Sequence, residues 1–336
     1  MKIVVLAGGI SEERNVSLSS GSQIANALMK KEHEVLLIDL AQDNEETSDF
    51  DSAYSLNHQD EYLFQVSEET PSVFMKNTQK DTVGKNVLNI CKTADIVFIA
   101  LHGGIGENGQ IQALFDIHGI RYTGSGYKSS LLAMDKVISK ELMAFHHIPT
   151  PKWTVIKKIK DASTVTLPAV VKPNDSGSSI GVEIVSDKKE LSTALKSAFN
   201  YSQTVLVEER IIGREFSVGI VGEKALPVIE VIPKAGFYDY KNKYQAGFTE
   251  EITPAHLNEE STKTMQKLAL QVHHLLGLTI YSRIDFMMDD NENIYFIEAN
   301  SLPGMTPTSL IPQEAAAAGI SYIDLCEMIV ENSLAK

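Results

Sequence analysis

The sequence predicts an α/β fold of two or three domains that begins with a parallel β-sheet. The chain has 336 residues, enough for a sizeable core and more than one domain. Its first segment, "KIVVLAGG", is a continuous apolar run that ends in two glycines, as expected of a strand buried on both faces. A helical segment and a second apolar run, "EVLLIDL", follow. Strand, helix and strand at this spacing predict a βαβ unit.

The composition argues against several classes of partner. The net charge is −14, whereas a protein that binds DNA or RNA needs basic surface to neutralise phosphates. No apolar stretch is long enough to cross a bilayer, and the apolar run in "MKIVVLAGG" is too short for a signal peptide. The two cysteines, Cys91 and Cys326, are too few for a disulfide framework. We therefore expect a cytoplasmic protein with reduced thiols and neither a membrane nor a nucleic-acid partner.

The first half of the chain continues the α/β pattern with one interruption. "SLSSGSQIANALMKK" predicts a helix whose C-terminal lysines interact favourably with the helix dipole. Residues 41–90 are polar and acidic without a clear period, which predicts irregular structure or short edge strands. "ADIVFIALHGG" restores the pattern as a third strand. "QIQALFDIHG" then predicts a helix, followed by a short strand before "TGSG".

The second half of the chain predicts helices and then mainly strands. "YKSSLLAMDKVISKELMAFHH" predicts one amphipathic helix, and "IPTPKWTVI", with two prolines, predicts a linker into a second domain. "PAVVKPNDSGSSIGVEIV" predicts two strands around a Ser/Gly loop, "KKELSTALKSAFN" a helix and "TVLVEERI" a strand. From about Ile211 we expect the strands "EFSVGIVG" and "ALPVIEVI", the helix "ESTKTMQKLALQVHHLLG" and the hairpin "YSRIDFMMDDNENIYFIEAN".

The hairpin brings three possible oxygen ligands to one strand end. If its turn lies in "DDNEN", Asp285 falls opposite Glu298 or close to it, and Asn300 shares a face with Glu298. Carboxylates so close together repel, and a hard cation such as Mg²⁺ would relieve that repulsion. The alternative is a plain ion pair, because Arg283 lies on the same face as Asp285. The spacing alone leaves both interpretations open.

The segment "AVVKPNDSGSSIGV" suggests a phosphate site. Lys172 ends a strand, and the small residues that follow would let backbone N–H groups approach phosphate oxygens. The alternative is a flexible hairpin tip, which is common in proteins. A Walker A loop occurs nowhere in the sequence, so any nucleotide must be held in another way.

"GIGENG", residues 104–109, matches the G-x-G-x-x-G pattern of dinucleotide-binding folds. It follows the third predicted strand rather than the first, its helix is short, and no acidic strand end follows at the expected distance. An NAD-dependent oxidoreductase would also leave the hairpin carboxylates unexplained. We therefore disfavour that class of enzyme.

Two other segments each have a plain and a functional interpretation. In "GGISEERNVSLSSG", Glu13 suits the first turn of a helix, although it could also meet a substrate ammonium at the sheet edge. The spacing alone favours the helix interpretation. "GFYDYKNKYQAGF", residues 236–248, is either a surface loop with packed aromatic side chains or a mobile lid over an active site.

In their order along the chain, these motifs resemble those of the D-alanine–D-alanine ligases of the ATP-grasp superfamily. The segments that carry the resemblance span residues 8–312 and are "GGISEERNVSL", "ALHGGIGENGQIQ", "YTGSG", "AMDK", "VVKPNDSGSSIGV", "VEERIIGREF", "GFYDYKNKY", "SRIDFMM" and "EANSLPGMTPTSLIP". The resemblance implies an ATP-grasp fold with an N-terminal Rossmann-like (pre-ATP-grasp) parallel-sheet domain. It further implies an N-terminal domain over 1–124, a central subdomain over 125–208 and a C-terminal subdomain with metal site and lid over 209–336.

The resemblance also implies a reaction and its cofactors. ATP would phosphorylate one D-alanine, and the amine of a second would attack the D-alanyl phosphate to give the dipeptide used in peptidoglycan precursors. The cofactors would be ATP and two Mg²⁺ (or Mn²⁺), and the family suggests a homodimer. Within the family, D-serine or D-lactate is the alternative acceptor. A non-catalytic nucleotide-binding module is less favoured, since such a module needs no paired metal ions.

The roles of individual residues follow from the resemblance. The residues expected to bind ATP are Lys136, Lys172, Ser179, Glu208, Glu209 and Glu215. The residues expected to bind the metal ions are Asp285, Glu298 and Asn300. The residues expected to act in catalysis are Glu13, Ser178, Arg283, Gly304 and Tyr244, of which Arg283 and the Gly304 N–H would stabilise the tetrahedral oxyanion. The residues expected to contact the amino-acid substrates or the lid are His102, Lys243, Ser309 and Leu310.

Overall fold

The structure is a computed structural model that describes residues 1–64, 82–177, 179–234 and 249–336. Its α-helices are α1 Arg14–Met29, α2 Phe50–Asn57, α3 Val87–Thr93, α4 Gln110–His118, α5 Tyr127–Met134, α6 Lys136–Phe145, α7 Lys188–Ala198, α8 Glu259–Leu275, α9 Leu310–Ala317 and α10 Tyr322–Leu334. Its strands are β1 Lys2–Ala7, β2 Glu34–Asp39, β3 Ile96–Ile99, β4 Trp153–Ile156, β5 Ala169–Pro173, β6 Glu183–Val185, β7 Val205–Glu209, β8 Gly213–Val221, β9 Lys224–Ala225, β10 Ile229–Pro233, β11 Thr249–Ile252, β12 Tyr281–Asp289 and β13 Ile294–Asn300. Short 3₁₀ turns lie at Gly104–Gly106 and Ile159–Thr164.

The first sheet is parallel, as predicted. Its order is β2-β1-β3, with β1 pairing in register to both neighbours. The central strand is buried from Ile3 to Ala7, which explains the unbroken apolar sequence of these residues. Gly21 of α1 faces this sheet, and a Cβ there would lie 2.6 Å from the Cβ of Ala7. The glycine therefore allows the helix and the sheet to pack closely.

The last helix completes the core around the first sheet. Leu325, Cys326, Ile329 and Val330 of α10 are buried in the same apolar cluster as β1. The first and last segments of the chain are therefore packed together. The predicted division at residues 124/125 and 208/209 stays a prediction.

The prediction of irregular structure for residues 41–90 is confirmed for residues 41–49, 58–64 and 82–86, but it is wrong for two helical stretches. Phe50–Asn57 and Val87–Thr93 are helices. The first begins with a capping box in which Asp49 and Ser52 exchange hydrogen bonds, and it buries only Phe50 and Ala53. So few buried positions leave no visible helical period in the sequence. Residues 65–81 lie outside the described part of the chain.

The single helix predicted over residues 127–147 is two helices. Asp135 separates them with an extended backbone (φ −79°, ψ 101°), and its carboxylate accepts a hydrogen bond from the N–H of Ile138. Asp135 therefore caps α6 and makes Lys136 the first residue of that helix. The proline-containing linker predicted next is shorter than expected, because its last residues form β4, which pairs with β7.

Two further sheets make up the rest of the fold. The order β4-β7-β5-β6 is antiparallel throughout, and α7 packs against it. The second has the order β11-β10-β8-β12-β13, with β9 added to β8, and α8 covers it. The strands on either side of the Ser/Gly loop, helix α8 and the β12–β13 hairpin confirm the corresponding predictions. In the described residues, no helix is long and apolar enough to cross a membrane.

Candidate active site

The β12–β13 hairpin has the register that the sequence predicts. Asp285 pairs with Glu298, and Arg283 pairs with Asn300. Opposed residues of an antiparallel pair project from the same face, so all four side chains lie on one face of the sheet. A register irregularity follows Asp285, which offsets the next pair of the ladder. The predicted proximity of the two carboxylates is confirmed.

Cations neutralise both of these carboxylates. The Nε and NH2 groups of Arg283 donate to the two oxygens of Asp285, each at 2.9 Å. The ammonium of Lys136 lies 3.3 Å from Glu298 Oε2. The plain ion pair considered for Arg283 and Asp285 is therefore present in the structure.

Two neutral side chains also orient Asp285. Ser217, which lies opposite Asp285 on β8, donates from Oγ at 2.6 Å, and Asn300 donates from Nδ2 at 3.0 Å. In the described residues, no group of three or more His, Cys, Asp or Glu side chains is arranged to hold a metal ion. Two carboxylates and one amide nevertheless suit Mg²⁺, which takes few ligands from protein and keeps water or phosphate for the others.

The hairpin forms one wall of a cleft with a volume of about 490 Å³. The opposite wall is formed by the β4-β7-β5-β6 sheet, called the central sheet from here on. Apolar side chains including Val170, Ile184 and Met287 line part of the interior. The cleft brings together eight residues that were expected to bind the nucleotide or the metal ions, namely Lys136, Lys172, Ser179, Glu208, Glu209, Glu215, Asp285 and Glu298. These residues come from separate elements, so the fold assembles them from distant parts of the sequence.

The Ser/Gly loop after β5 is fastened to the start of α6. The backbone N–H of Lys136 donates to the carbonyl oxygen of Asn174 at 3.2 Å, and the N–H of Val137 donates to Asn174 Oδ1 at 2.9 Å. The ammonium of Lys136 donates to the carbonyl oxygen of Ser176 at 2.8 Å. Lys136 thus joins the loop on one side of the cleft to Glu298 on the other.

A buried carboxylate lies between two buried lysines at the floor of the cleft. Glu208 is 2% exposed, and its Oε2 accepts from Lys172 Nζ at 2.8 Å. Lys140 Nζ lies 3.3 Å from Glu208 Oε1. Burial disfavours the ionised form of Glu208. The positive charges of the two lysines outweigh this effect of burial, so the pKa of Glu208 is lowered. Burial likewise opposes the charge of Lys172, and the attraction of Glu208 raises its pKa.

Glu13 and His102 lie together at the edge of the first sheet. Glu13 is 6% exposed and immediately precedes α1, while His102 is 4% exposed and its Nε2 lies 3.0 Å from Ser20 Oγ. Gly103 and Gly177 leave room for the Glu13 carboxylate. A Cβ would lie 2.6 Å from Glu13 Oε2 at position 103 and 3.2 Å from it at position 177. Gly177 belongs to the Ser/Gly loop, so this corner adjoins the loop that faces the cleft.

The remaining predicted residues do not line the cleft or lie outside the described residues. Ser309 precedes α9, and its hydroxyl accepts from the N–H of Thr306 at 3.1 Å. Leu310 is buried against Ile229 and Val231, and Gly304 lies beside Ser309. The predicted residues outside the described part of the chain are Ser178, Lys243 and Tyr244.

Sequence reasoning missed several polar residues that surround the site. Lys140 follows Lys136 by one helical turn, so both lysines lie on one face of α6. This spacing could have indicated that Lys140 also faces the site. Ser217 gives no local signal, because its role depends on pairing with a strand far along the chain. Glu107 lies inside the glycine motif at residues 104–109 and was assigned no role, yet its Oε1 lies 3.8 Å from His102 Nδ1.

Two models of known protein families match the chain. The model described as "D-ala D-ala ligase N-terminus" matches residues 2–125, and "D-ala D-ala ligase C-terminus" matches residues 141–331. The chain belongs to the D-alanine–D-alanine ligase family. This membership confirms the predicted ATP-grasp fold with an N-terminal parallel-sheet domain.

Members of the family from several bacteria align with the chain almost end to end. The chain is 47% identical to the D-alanine–D-alanine ligase of Pediococcus pentosaceus, over 98% of this chain and 97% of that protein. It is 38% identical to the ligase of the same name from Halalkalibacterium halodurans, over 100% of both chains.

Solved structures of ligases share the fold. The D-alanine–D-alanine ligase of Bacillus anthracis complexed with ATP has a TM-score of 0.76 at 33% identity, covering 100% of this chain and 98% of that chain. The VanG D-Ala:D-Ser ligase from Enterococcus faecalis has a TM-score of 0.76 at 26% identity, covering 99% of each chain. The predicted homodimer and cytoplasmic location stay predictions.

Proposed function

We propose that this member of the D-alanine–D-alanine ligase family is an ATP-dependent ligase that joins two D-alanine molecules through a D-alanyl phosphate. The observation that carries the proposal is the cleft in which Lys136 and Lys172 face the carboxylate hairpin. Lysines suit phosphate oxygens, and paired carboxylates suit the divalent cation that accompanies a nucleotide. Relatives at 38–47% identity are named for this activity, and a relative has been solved with ATP.

In the first step, a carboxylate oxygen of one D-alanine attacks the γ-phosphorus of ATP. The bond from that phosphorus to the bridging oxygen breaks, and ADP leaves. Lys136 and Lys172 would balance the charge of the phosphates. Asp285, Glu298 and Asn300 would hold two Mg²⁺ (or Mn²⁺), which neutralise phosphate charge when bound.

In the second step, the amine of another D-alanine attacks the carbonyl carbon of the acyl phosphate. The amine must first lose a proton from its ammonium form. The tetrahedral intermediate then collapses, the carbon–oxygen bond to phosphate breaks, and dipeptide and inorganic phosphate leave. Arg283 and the N–H of Gly304 would stabilise the oxyanion, which requires Arg283 to weaken its contacts with Asp285.

The other predicted residues would position the two amino acids. Glu13 is a buried carboxylate beside His102, so it suits the ammonium of the first D-alanine. Ser309 and Leu310 would adjoin the carboxylate of the second. Ser178, Lys243 and Tyr244 would belong to segments that close over the cleft.

D-alanine is the preferred acceptor in this proposal. The relatives of higher identity are named D-alanine–D-alanine ligases, whereas the D-Ala:D-Ser ligase is 26% identical. A product of this kind would serve peptidoglycan precursor synthesis.

The proposal is tested by measuring phosphate release from ATP with a panel of D- and L-amino acids and D-lactate, in the presence of Mg²⁺. We expect turnover with D-alanine, little with D-lactate at neutral pH and none with L-alanine. Asp290→Asn is a matched control for Glu298→Gln, because Asp290 is an exposed carboxylate in the turn of the same hairpin. Turnover with none of the D-amino acids, or equal losses in both variants, would refute the proposed reaction or its site.

A further inference from the structure

Lys140 is a lysine with no solvent exposure. It lies on α6, one turn after Lys136, and points away from solvent between the central sheet and the hairpin. Fully buried lysines are rare, since removing an ammonium from water is costly unless charged or polar partners replace the water. The surroundings of Lys140 therefore require a specific explanation.

The partners of Lys140 come from several directions. Its Nζ donates to Thr150 Oγ1 at 2.6 Å, lies 3.3 Å from Glu208 Oε1 and lies 5.3 Å from the centre of the Trp153 ring. The ring face contributes a favourable cation–π contact. A carboxylate, a hydroxyl and an aromatic face together explain how the charge is tolerated.

Thr150 extends these contacts to the carboxylate hairpin. Its Oγ1 donates to the carbonyl oxygen of Phe296 at 2.9 Å, and the N–H of Phe296 donates to the carbonyl oxygen of Pro149 at 2.8 Å. Phe296 precedes Glu298 on β13 by two residues. Lys140 therefore links Glu208 on one wall of the cleft to the strand that carries Glu298 on the other.

Glu208 needs more than one cation if Lys172 is to bind a phosphate. Lys172 donates to one oxygen of Glu208 in the structure. A phosphate at Lys172 would compete for that ammonium and leave a fully buried carboxylate with less compensation. Lys140 lies against the other oxygen of Glu208 and supplies the positive charge that Glu208 needs when Lys172 turns to a phosphate.

We propose that Lys140 is a positioning residue for the nucleotide: it keeps Glu208 ionised and in place, and so makes Lys172 available to the phosphates. This inference rests on the proposed ATP site. A lysine with a purely structural role would stabilise the fold, but the nucleotide affinity would not depend on whether that lysine is charged.

The protonation of Lys140 gives this role a signature in pH. Burial lowers the pKa of Lys140 to about 8, although the attraction of Glu208 opposes the shift. The charged groups that face it are Glu208 on β7 and Lys172 on β5, whereas Thr150 and Trp153 do not titrate. Lys140 loses its charge as pH rises through this range, so nucleotide affinity should fall between pH 7 and pH 9.

The test compares Lys140→Met and Lys140→Arg with wild type and with Lys128→Met, which removes an exposed lysine from the neighbouring helix α5. The readouts are the Kd of ADP with Mg²⁺ by calorimetry, the KM of ATP and kcat, at pH 7 and pH 9, with thermal unfolding of each protein. We expect Lys140→Met to weaken ADP binding and raise the KM of ATP about tenfold at pH 7, the scale of one lost charge-assisted contact. Its kcat at saturating ATP should change much less, and Lys128→Met should match wild type.

The pH comparison decides between positioning and a structural role. Wild type should lose nucleotide affinity between pH 7 and pH 9, and Lys140→Arg should keep its affinity because arginine stays charged. An unchanged KM in a folded Lys140→Met, or the same pH dependence in Lys140→Arg as in wild type, would overturn the inference. If Lys140→Met does not fold, the wild-type and Lys140→Arg profiles decide alone. Failure of wild type to bind ADP would instead refute the proposed function, and this inference with it.

Discussion

Glu314 should make the ligand-free protein less stable as the pH rises. This residue of α9 is fully buried, and its Oε1 accepts from the N–H of Gly219 at 2.9 Å. Among the described residues its Oε2 has no hydrogen-bond partner. Burial raises the pKa of Glu314 from 4.5 to about 8, although the hydrogen bond from Gly219 and the charge of Arg283 oppose the rise. The folded protein therefore keeps this carboxyl protonated at a pH where an unfolded chain would ionise it.

The direction and size of the effect follow from proton linkage. Between pH 4.5 and about 8 the folded state binds a proton that the unfolded state releases, so the free energy of unfolding falls as pH rises through this window. At about 1.4 kcal/mol per pKa unit, the full rise corresponds to roughly 5 kcal/mol, which is an upper scale for one buried group. Glu314→Gln removes the ionisation and retains an oxygen that can accept from Gly219. The variant should therefore lose this part of the pH dependence.

The assay is denaturant unfolding of the metal-free and nucleotide-free protein at pH 5.5 and pH 8.5. Glu314→Gln should unfold at a higher denaturant concentration than wild type at pH 8.5, by an amount equivalent to about 2–5 kcal/mol, and the gain should shrink at pH 5.5. Glu331→Gln, at an exposed position on α10, serves as the control and should follow wild type. If wild type and Glu314→Gln show the same change in stability between the two pH values, Glu314 is not the group responsible.

Three further predictions concern turnover. Glu298→Gln should lower Mg²⁺-dependent turnover by about 10²-fold, because it removes a charge where cations are proposed to bind. Steady-state kinetics measures the loss, with Asp290→Asn as the control. Normal activity of Glu298→Gln would contradict the metal site. Arg283→Ala should reduce kcat with little change in the KM of ATP, since Arg283 is proposed to meet charge that develops in the transition state. A variant with a raised ATP KM and normal kcat would exclude that role. Tyr244→Phe should cost about 1–2 kcal/mol in kcat/KM and relax acceptor choice, as expected if a hydrogen bond is lost from a closed lid. Competition between D-alanine and D-lactate at pH 7 measures the change, and efficient use of D-lactate by wild type would exclude an amine-specific acceptor site.

The sequence predicted the carboxylate hairpin because all of its determinants are local. Alternating burial and a turn-rich segment set the register that places Asp285 opposite Glu298. The break at Asp135 was missed, because one capping residue interrupts an otherwise continuous helical pattern. The pairing of Lys140 with Glu208 was missed for a different reason. These residues are far apart in sequence and meet only when α6 packs beside the central sheet.

The side chains of the cleft already compensate one another's charges, and this bears on how nucleotide and metal would enter. Three cations each lie against a carboxylate in the pairs Lys136–Glu298, Arg283–Asp285 and Lys172–Glu208. A polyphosphate arriving alone would attract the lysines and leave a carboxylate facing phosphate oxygens. A divalent cation arriving alone would displace a lysine or arginine into a cleft with no new anion. If both arrived together, the cation would take the hairpin carboxylates, the phosphates would take the lysines, and Lys140 would stay against Glu208, so fewer charges would lose a partner. The arrangement therefore favours binding of the nucleotide as its metal complex, with each component strengthening the binding of the other.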